Sequence, residues 1–141
     1  TGAGEVLEGV GVLDVWTEAG TRRMIGNIVI ESTLSGAPRS VVGFENHSGK
    51  TFLGERAVPF GKVVRGFGNN GEDGFEGAVY RNTVGTYLHG SLLPKNPWLA
   101  DWLISKALER KYGEPLGGDL DDTIEVMAHE AAIRRAGKRT V

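Results

Sequence analysis

Cysteine is missing from the 141-residue chain. That absence excludes a disulfide scaffold, a thiolate metal site and a cysteine nucleophile supplied by these residues themselves. A dominant charge sign is missing as well: 16 Lys and Arg stand against 18 Asp and Glu, for a formal net charge of −2 and no basic run. Such a balance leaves no electrostatic footprint for nucleic acid or an anionic membrane, so small molecules and proteins remain as partners. No apolar run approaches the roughly 20 residues that cross a bilayer. Thr1 to Glu5 do not form a basic and then hydrophobic leader. These absences predict a cytoplasmic protein without membrane insertion, and the length predicts one domain over 1–141 that can bury a core.

Glycine is what the chain has in excess: 22 of 141 residues, about 16% against a usual frequency of about 7%. Eighteen of the 22 fall in the first 90 residues, among short β-branched or aromatic runs, and four in the last 51. The chain therefore reads as strands first, over 1–90, and helices after them. Strands are predicted at Val10–Trp16, Asn27–Ile30, Ser40–Phe44, Lys62–Gly66, Gly77–Tyr80 and Val84–Leu88, each bounded by Gly, Pro, Asn or Asp. Such short, closely spaced strands favour antiparallel connections, because a parallel crossover needs about a dozen residues or more. Gly68-Asn69-Asn70-Gly71 reads as a hairpin loop, since Asn and Gly tolerate positive φ.

A helix is predicted over 96–112. Asn96 would cap it, Pro97 fits its first position, and Trp98, Leu99, Trp102, Leu103, Ala107 and Leu108 form one apolar stripe. Arg110 and Lys111 suit its negative end, before Gly113. A second helix is predicted over 122–136, with Asp122 and Glu125 resembling a capping box and Ile124, Met127 and Ala131 at helical spacing. Glu114 to Asp121 reads as a polar loop between them.

Several motifs fail on physical grounds. Gly66-Phe67-Gly68-Asn69-Asn70-Gly71 has the letters of a dinucleotide fingerprint, but acidic residues and a strand follow it where a phosphate-binding helix N-terminus should open. Gly49-Lys50-Thr51 resembles the end of a P-loop, yet five residues separate Gly43 from Gly49 where that loop has four. Thr1 as an N-terminal nucleophile would be tethered by a flexible Gly-Ala-Gly. His47, His89 and His129 show no short ligand spacing for a metal, and His129 reads as a solvated histidine on the second helix.

Two of the histidines lie where strands give way to loops, the usual place for binding and catalytic groups. His89 ends Val84-Gly85-Thr86-Tyr87-Leu88 and precedes Gly90, which allows a sharp turn. Its imidazole either faces a cleft or is hydrogen-bonded at a strand end. His47 sits in the polar segment Gly43 to Thr51, where it lines a site or closes a turn.

Three segments, Glu8–Thr17 (EGVGVLDVWT), Gly43–Leu53 (GFENHSGKTFL) and Gly85–Ile104 (GTYLHGSLLPKNPWLADWLI), resemble in order the CobB/CobQ-like branch of class I glutamine amidotransferases. The resemblance runs over nearly the whole chain. It implies the C-terminal part of a flavodoxin-like three-layer α/β domain. It also implies a reaction in which a cysteine thiolate attacks the side-chain amide of L-glutamine, a histidine moves the proton, and ammonia passes to a ligase. On this resemblance His89 is the catalytic histidine, and imidazole chemistry near neutrality suits promoting a thiolate and protonating ammonia. Arg23 matches a family arginine that handles glutamine, a task for which a planar guanidinium pairing with carboxylate is suited. Its neighbour Arg22 reads equally as a solvated basic residue. Glu45, Asn46, His47, Ser48 and Gly49 match the stretch lining the glutamine pocket, where backbone amides can accept a charged end as nests do.

The implied partners are a MurT-like ATP-dependent ligase subunit and an N-terminal amidotransferase segment missing from this sequence. No cofactor or metal is implied. Within the branch the likeness points to peptidoglycan biosynthesis. Cobyrinate or cobyric acid amidation, and a non-catalytic glutamine-binding module, are the alternatives. The chain also departs from the family pattern. The family cysteine lies on a strand-turn-helix element that would precede Thr1, while Ser48 and Ser91 have neither an elbow nor a matched base. The chain alone is therefore expected to be inactive. Many class I amidotransferases carry glutamate two residues after the histidine; Ser91 stands there, as is common in this branch, and the group that orients His89 stays open.

Overall fold

Two long strands dominate the architecture. A computed structural model describes residues 6–115, 117, 118 and 120–137, so Thr1 lies outside the described residues. Strand β1 (Val15–Ser32) pairs antiparallel with β2 (Arg39–Leu53) through the turn at 33–38, where Gly36 takes a φ of 90° and donates its N–H to Thr33 O. Near that turn the β-branched runs coincide, with Ile30 opposite Val41, Val29 opposite Val42 and Ile28 opposite Gly43. Strand β3 (Gly61–Arg65) pairs with the other side of β1, and β4 (Phe75–Glu76) with β3, giving the order β2-β1-β3-β4. A second sheet pairs β5 (Ala78–Tyr80) with β6 (Thr83–Gly85), and a Val58–Val79 bridge ties it to the chain before β3. All strand pairings among the described residues are antiparallel, as the spacing implied. Ile28, Ile30, Val41, Phe60, Val79, Leu88 and Leu99 form the core. Burial of that apolar surface, at roughly 25 cal/mol per Å², is the main force holding both sheets to the helix that carries Leu99.

The strands are longer than the short runs predicted. Polar residues on either side of the apolar stretches join the ladder, which continues past an irregularity at 20–23 up to Val15 opposite Leu53, so β1 spans 18 residues and β2 15. The prediction for Val10–Trp16 fails over Val10–Asp14: Gly11 has a φ of 70°, and Asp14 instead accepts the Gly54 and Arg56 N–H groups. Val84–Leu88 is strand only to Gly85, because the Thr86 hydroxyl and Tyr87 N–H turn to Glu76. The loop at Gly68–Gly71 does join the hairpin β3–β4, but only its glycines take positive φ. Asn69 and Asn70 act through their amides, Asn69 closing two bonds with the Gly77 main chain and Asn70 reaching Thr51 O, Glu72 N and Asp73 N.

Helix α1 (Pro97–Tyr112) starts with Pro97 and ends at Gly113, whose φ of 81° closes the cap on Glu109 O. Asn96 precedes it, yet its side chain makes no capping bond and is used on β2 instead. The predicted apolar stripe is fully buried only at Leu99, with Trp98 packed on the core, Trp102 and Leu108 half-buried, and Leu103 and Ala107 exposed. Helix α2 (Thr123–Gly137) is held at its start by Asp121, which accepts from the Thr123 N–H and hydroxyl, and Ile124 and Met127 face solvent. His129 is not the solvated residue predicted: half-buried, it bonds Ser40 Oγ and Lys95 O at 2.7 Å each and docks α2 on the fold. No helix among the described residues is long and apolar enough to cross a membrane.

Candidate functional site

β2 lies at the edge of its sheet, and an edge strand leaves main-chain groups unpaired unless something covers them. Residues 89–98 cover it in sequence. Phe44 O accepts from His89 N–H at 2.7 Å, and Phe44 N–H donates to His89 O at 3.4 Å. Next along the edge, Asn96 uses its amide as a peptide would, its Oδ1 accepting from Val42 N–H and its Nδ2 donating to Val42 O, both at 2.8 Å. Trp98 Nε1 then donates to Ser40 O at 2.9 Å. His89 is thus fixed to β2 through its main chain, and no hydrogen bond to its imidazole is present among the described residues. It is exposed, and the two residues after it, Gly90 and Ser91, both take left-handed conformations, with φ of 55° and 53°. Ser91 in that region is strained, a feature that concentrates at working sites.

Alternation along β2 sorts the candidate residues onto two faces. Phe44, Asn46 and Ser48 share one face. His89 joins them, because directly paired residues of antiparallel strands project to the same side. Arg23 belongs here as well. The ladder shifts between Ala19–Gly49 and Met24–His47, so that residues 20–23 swing out opposite Ser48, and Arg23 Nε donates to Asn46 Oδ1 at 2.7 Å. Arg22, in the same excursion, lies over the Phe67 ring at 4.8 Å. The structure therefore brings Arg23, Asn46, Ser48 and His89 to one side of the hairpin.

Gly43, Glu45, His47 and Gly49 occupy the opposite face. Glu45 is fully buried, and its carboxylate accepts from Phe67 N–H at 2.8 Å and Gly68 N–H at 3.0 Å, anchoring the turn after β3. Burial pushes its carboxyl above the ordinary range, the two amides pull it back, and nearby Glu76 adds repulsion. The His47 ring stacks flat on Tyr87, centroids 3.7 Å apart and planes 1° from parallel. Its Nδ1 faces Gly49 O at 2.9 Å; a carbonyl only accepts, so Nδ1 carries the hydrogen. Gly49 is tightly packed, since a Cβ there would sit 2.8 Å from Thr17 Cγ2 and 3.3 Å from Tyr87 Oη.

Sequence reasoning missed Glu76, which is fully buried at the end of the two-residue strand β4. Its Oε1 accepts from Tyr87 N–H at 2.7 Å and from the Thr86 hydroxyl at 2.8 Å, which ends the β6 ladder at Gly85. Burial pushes its carboxyl up as well, against hydrogen bonds and the nearby His47 that lower it. No local pattern marked this glutamate; the period-two spacing of Gly43, Glu45, His47 and Gly49 was the available sign for its neighbours. A cavity of about 210 Å³ borders Thr17, Thr51, Thr86 and Tyr87 on this inner side. A larger groove of about 770 Å³ lies away from the site, against Trp98, Trp102, Val126 and His129.

A family model of the CobB/CobQ-like glutamine amidotransferase domain matches residues 1–97. The GatD subunit of the glutamine-hydrolysing lipid II isoglutaminyl synthase of Staphylococcus aureus strain N315 is 46% identical over 137 residues, which is 96% of this chain and 54% of that protein. The corresponding Streptococcus pneumoniae R6 subunit is 42% identical over 115 residues, 81% of this chain and 44% of its own. A cobyric acid synthase of Sphingopyxis alaskensis is 34% identical over 134 residues, 94% of this chain and 25% of that protein. The chain thus spans about half the length of the GatD proteins it matches. With a family model covering more than half of its residues, the chain belongs to the CobB/CobQ-like glutamine amidotransferases.

Proposed function

We propose that this chain is the histidine-bearing part of a GatD-type glutamine amidotransferase that hydrolyses L-glutamine and passes ammonia to a MurT-like ATP-dependent ligase. The ligase would amidate the D-glutamate of lipid II, in the cytoplasm. The observation that carries the reading is the shared face of β2, where His89 is bonded to Phe44 two residues from Asn46, and Asn46 holds Arg23. The thiolate comes from the N-terminal amidotransferase segment, since this chain has no cysteine.

His89 would take the thiol proton and later give it to the leaving ammonia. Beyond the Nε bond to Asn46, the terminal nitrogens of Arg23 make no hydrogen bond among the described residues, so its guanidinium can meet the substrate carboxylate. Asn46 fixes that arginine, and Ser48 borders the same face. Glu45, His47 and Gly49 contribute from behind, by shaping the strand and the segment that ends in His89.

Glutaminase assays test the reading. The chain alone is expected to release no ammonia. The full-length protein should be active, and His89→Ala there should abolish turnover. Turnover that survives His89→Ala refutes the assignment. A full-length protein that folds and binds glutamine without hydrolysing it supports a binding module instead. Ammonia transfer to a cobyrinate-type acceptor in place of lipid II would move the chain to cobalamin amidation.

A further inference from the structure

We propose that Glu76 and His47 are positioning residues for His89, holding the segment Thr86–His89 in the one conformation that presents the imidazole. The inference rests on His89 being the proton carrier named above. Its geometry does not. Each amide from 87 to 89 has a fixed acceptor, and two of the three lead to one oxygen. Tyr87 N–H donates to Glu76 Oε1; Leu88 N–H donates to Thr86 Oγ1, whose own hydrogen goes to Glu76 Oε1; His89 N–H donates to Phe44 O. The side chains in front of His89 are fixed too. His47 covers the Tyr87 ring, Tyr87 Oη meets Thr51 Oγ1 at 2.8 Å, and Thr51 Oγ1 meets Thr17 Oγ1 at 2.7 Å. Leu88 fits against β2 only because Gly43 has no side chain, since a Cβ there would lie 2.8 Å from Leu88 Cβ.

A carboxylate is an expensive choice for such a clamp. Burying one without full compensation costs several kcal/mol, whereas a neutral amide could accept the same two bonds. Two atoms here have no hydrogen-bond partner among the described residues, Glu76 Oε2 and His47 Nε2, both buried. They belong to the two side chains that grip Tyr87, one by its amide and one by its ring, and His47 acts electrostatically on Glu76. Buried polar groups without partners are few in native proteins, and each calls for an explanation. The arrangement fits a segment that must be held at one position beside a reacting group, where a displacement of about 1 Å can cost about 100-fold in rate.

The test uses the full-length protein with two readouts, glutaminase kcat and KM, and the imidazole signals of His89 in ¹H–¹⁵N NMR spectra. Glu76→Ala is expected to lower kcat about 100-fold with little change in KM, because Arg23 and Asn46 lie on the other face. It should also shift or split the His89 signals. Glu76→Gln keeps an acceptor oxygen and should restore the signals and most of kcat. Should Glu76→Ala fail to fold, Thr86→Val decides, since it breaks the relay from Leu88 without cutting a cavity. Wild-type His89 signals and wild-type kcat in a folded Glu76→Ala or Thr86→Val protein overturn the proposal, as does a Glu76→Gln protein no better than Glu76→Ala. If His89→Ala keeps its turnover, the functional reading fails, while the NMR signals still decide whether Glu76 positions the imidazole.

Discussion

Asn96→Ala is expected to be among the most damaging single substitutions in this chain, although it lies in neither the core cluster nor the candidate site. Asn96 is fully buried and makes three bonds, with Val42 N at 2.8 Å, Val42 O at 2.8 Å and Leu92 O at 2.6 Å. Truncation leaves the Val42 N–H and C=O without partners on a strand edge that the rest of residues 89–98 still covers. An orphaned buried group costs about 1–3 kcal/mol, so two of them, softened by some water entry, place the loss at about 3–4 kcal/mol. For a chain of this size that corresponds to a Tm lower by about 10 °C. Asn96→Asp is a sharper probe. One oxygen can still accept from Val42 N–H, but the other would face the carbonyls of Val42 and Leu92. It is therefore expected to cost more than the alanine at neutral pH and to recover on acidification, when the carboxyl can donate. Urea unfolding followed by tryptophan fluorescence measures both variants, with Trp98 bonded to β2 at Ser40 as a local reporter. A loss below about 1 kcal/mol for Asn96→Ala would refute the reasoning, by showing that Val42 finds other partners.

Gly43→Ala should destabilise by about 1–3 kcal/mol through overpacking, because its Cβ would fall within 2.8–3.0 Å of three Leu88 atoms; denaturant midpoints read the loss. Gly90→Ala meets open space but must hold a φ of 55°, so about 1–2 kcal/mol of backbone strain is expected, less for Gly90→Asn, by thermal melting. Glu45 and Glu76 hold protons more tightly in the folded chain than the ordinary value of 4.5, mainly because both are buried. The native state then binds more protons than the unfolded one, so this contribution to stability is complete below about pH 4.5 and is lost as pH rises through the folded values. Replacing both with Gln should flatten the fall in Tm between acid and neutral pH, and an unchanged slope would count against the raised values.

Helix α1 was legible because its signals are local: Pro97 sets the first φ, and Gly113 supplies the left-handed residue that ends it. Asn96 shows the limit of that reasoning. The letter suggested a cap, but β2 offered a better use for a two-sided amide, and only tertiary structure could reveal it. The stretch Gly43–Gly49 stood out by its resemblance to a family segment, yet its polar composition hid the strand that runs through it. Once it is a strand, its period of two separates Asn46 and Ser48 from Glu45 and His47, which the segment read as a loop could not do. Glu76 had no sign at all, since it sits in a two-residue strand and its partners are ten and eleven residues away.

The seam between β2 and residues 89–98 has a kinetic consequence. Its bonds are unequal: the Phe44 N–H to His89 O contact at 3.4 Å is its longest, whereas Val42 is held by two bonds of 2.8 Å. Local opening should therefore begin at the histidine and travel toward α1, so that the Phe44 amide exchanges with solvent deuterium well before that of Val42. The backbone beside His89 is then the softest point of the seam, and a ligand that reaches His89 should slow exchange at Phe44 without changing it at Val42.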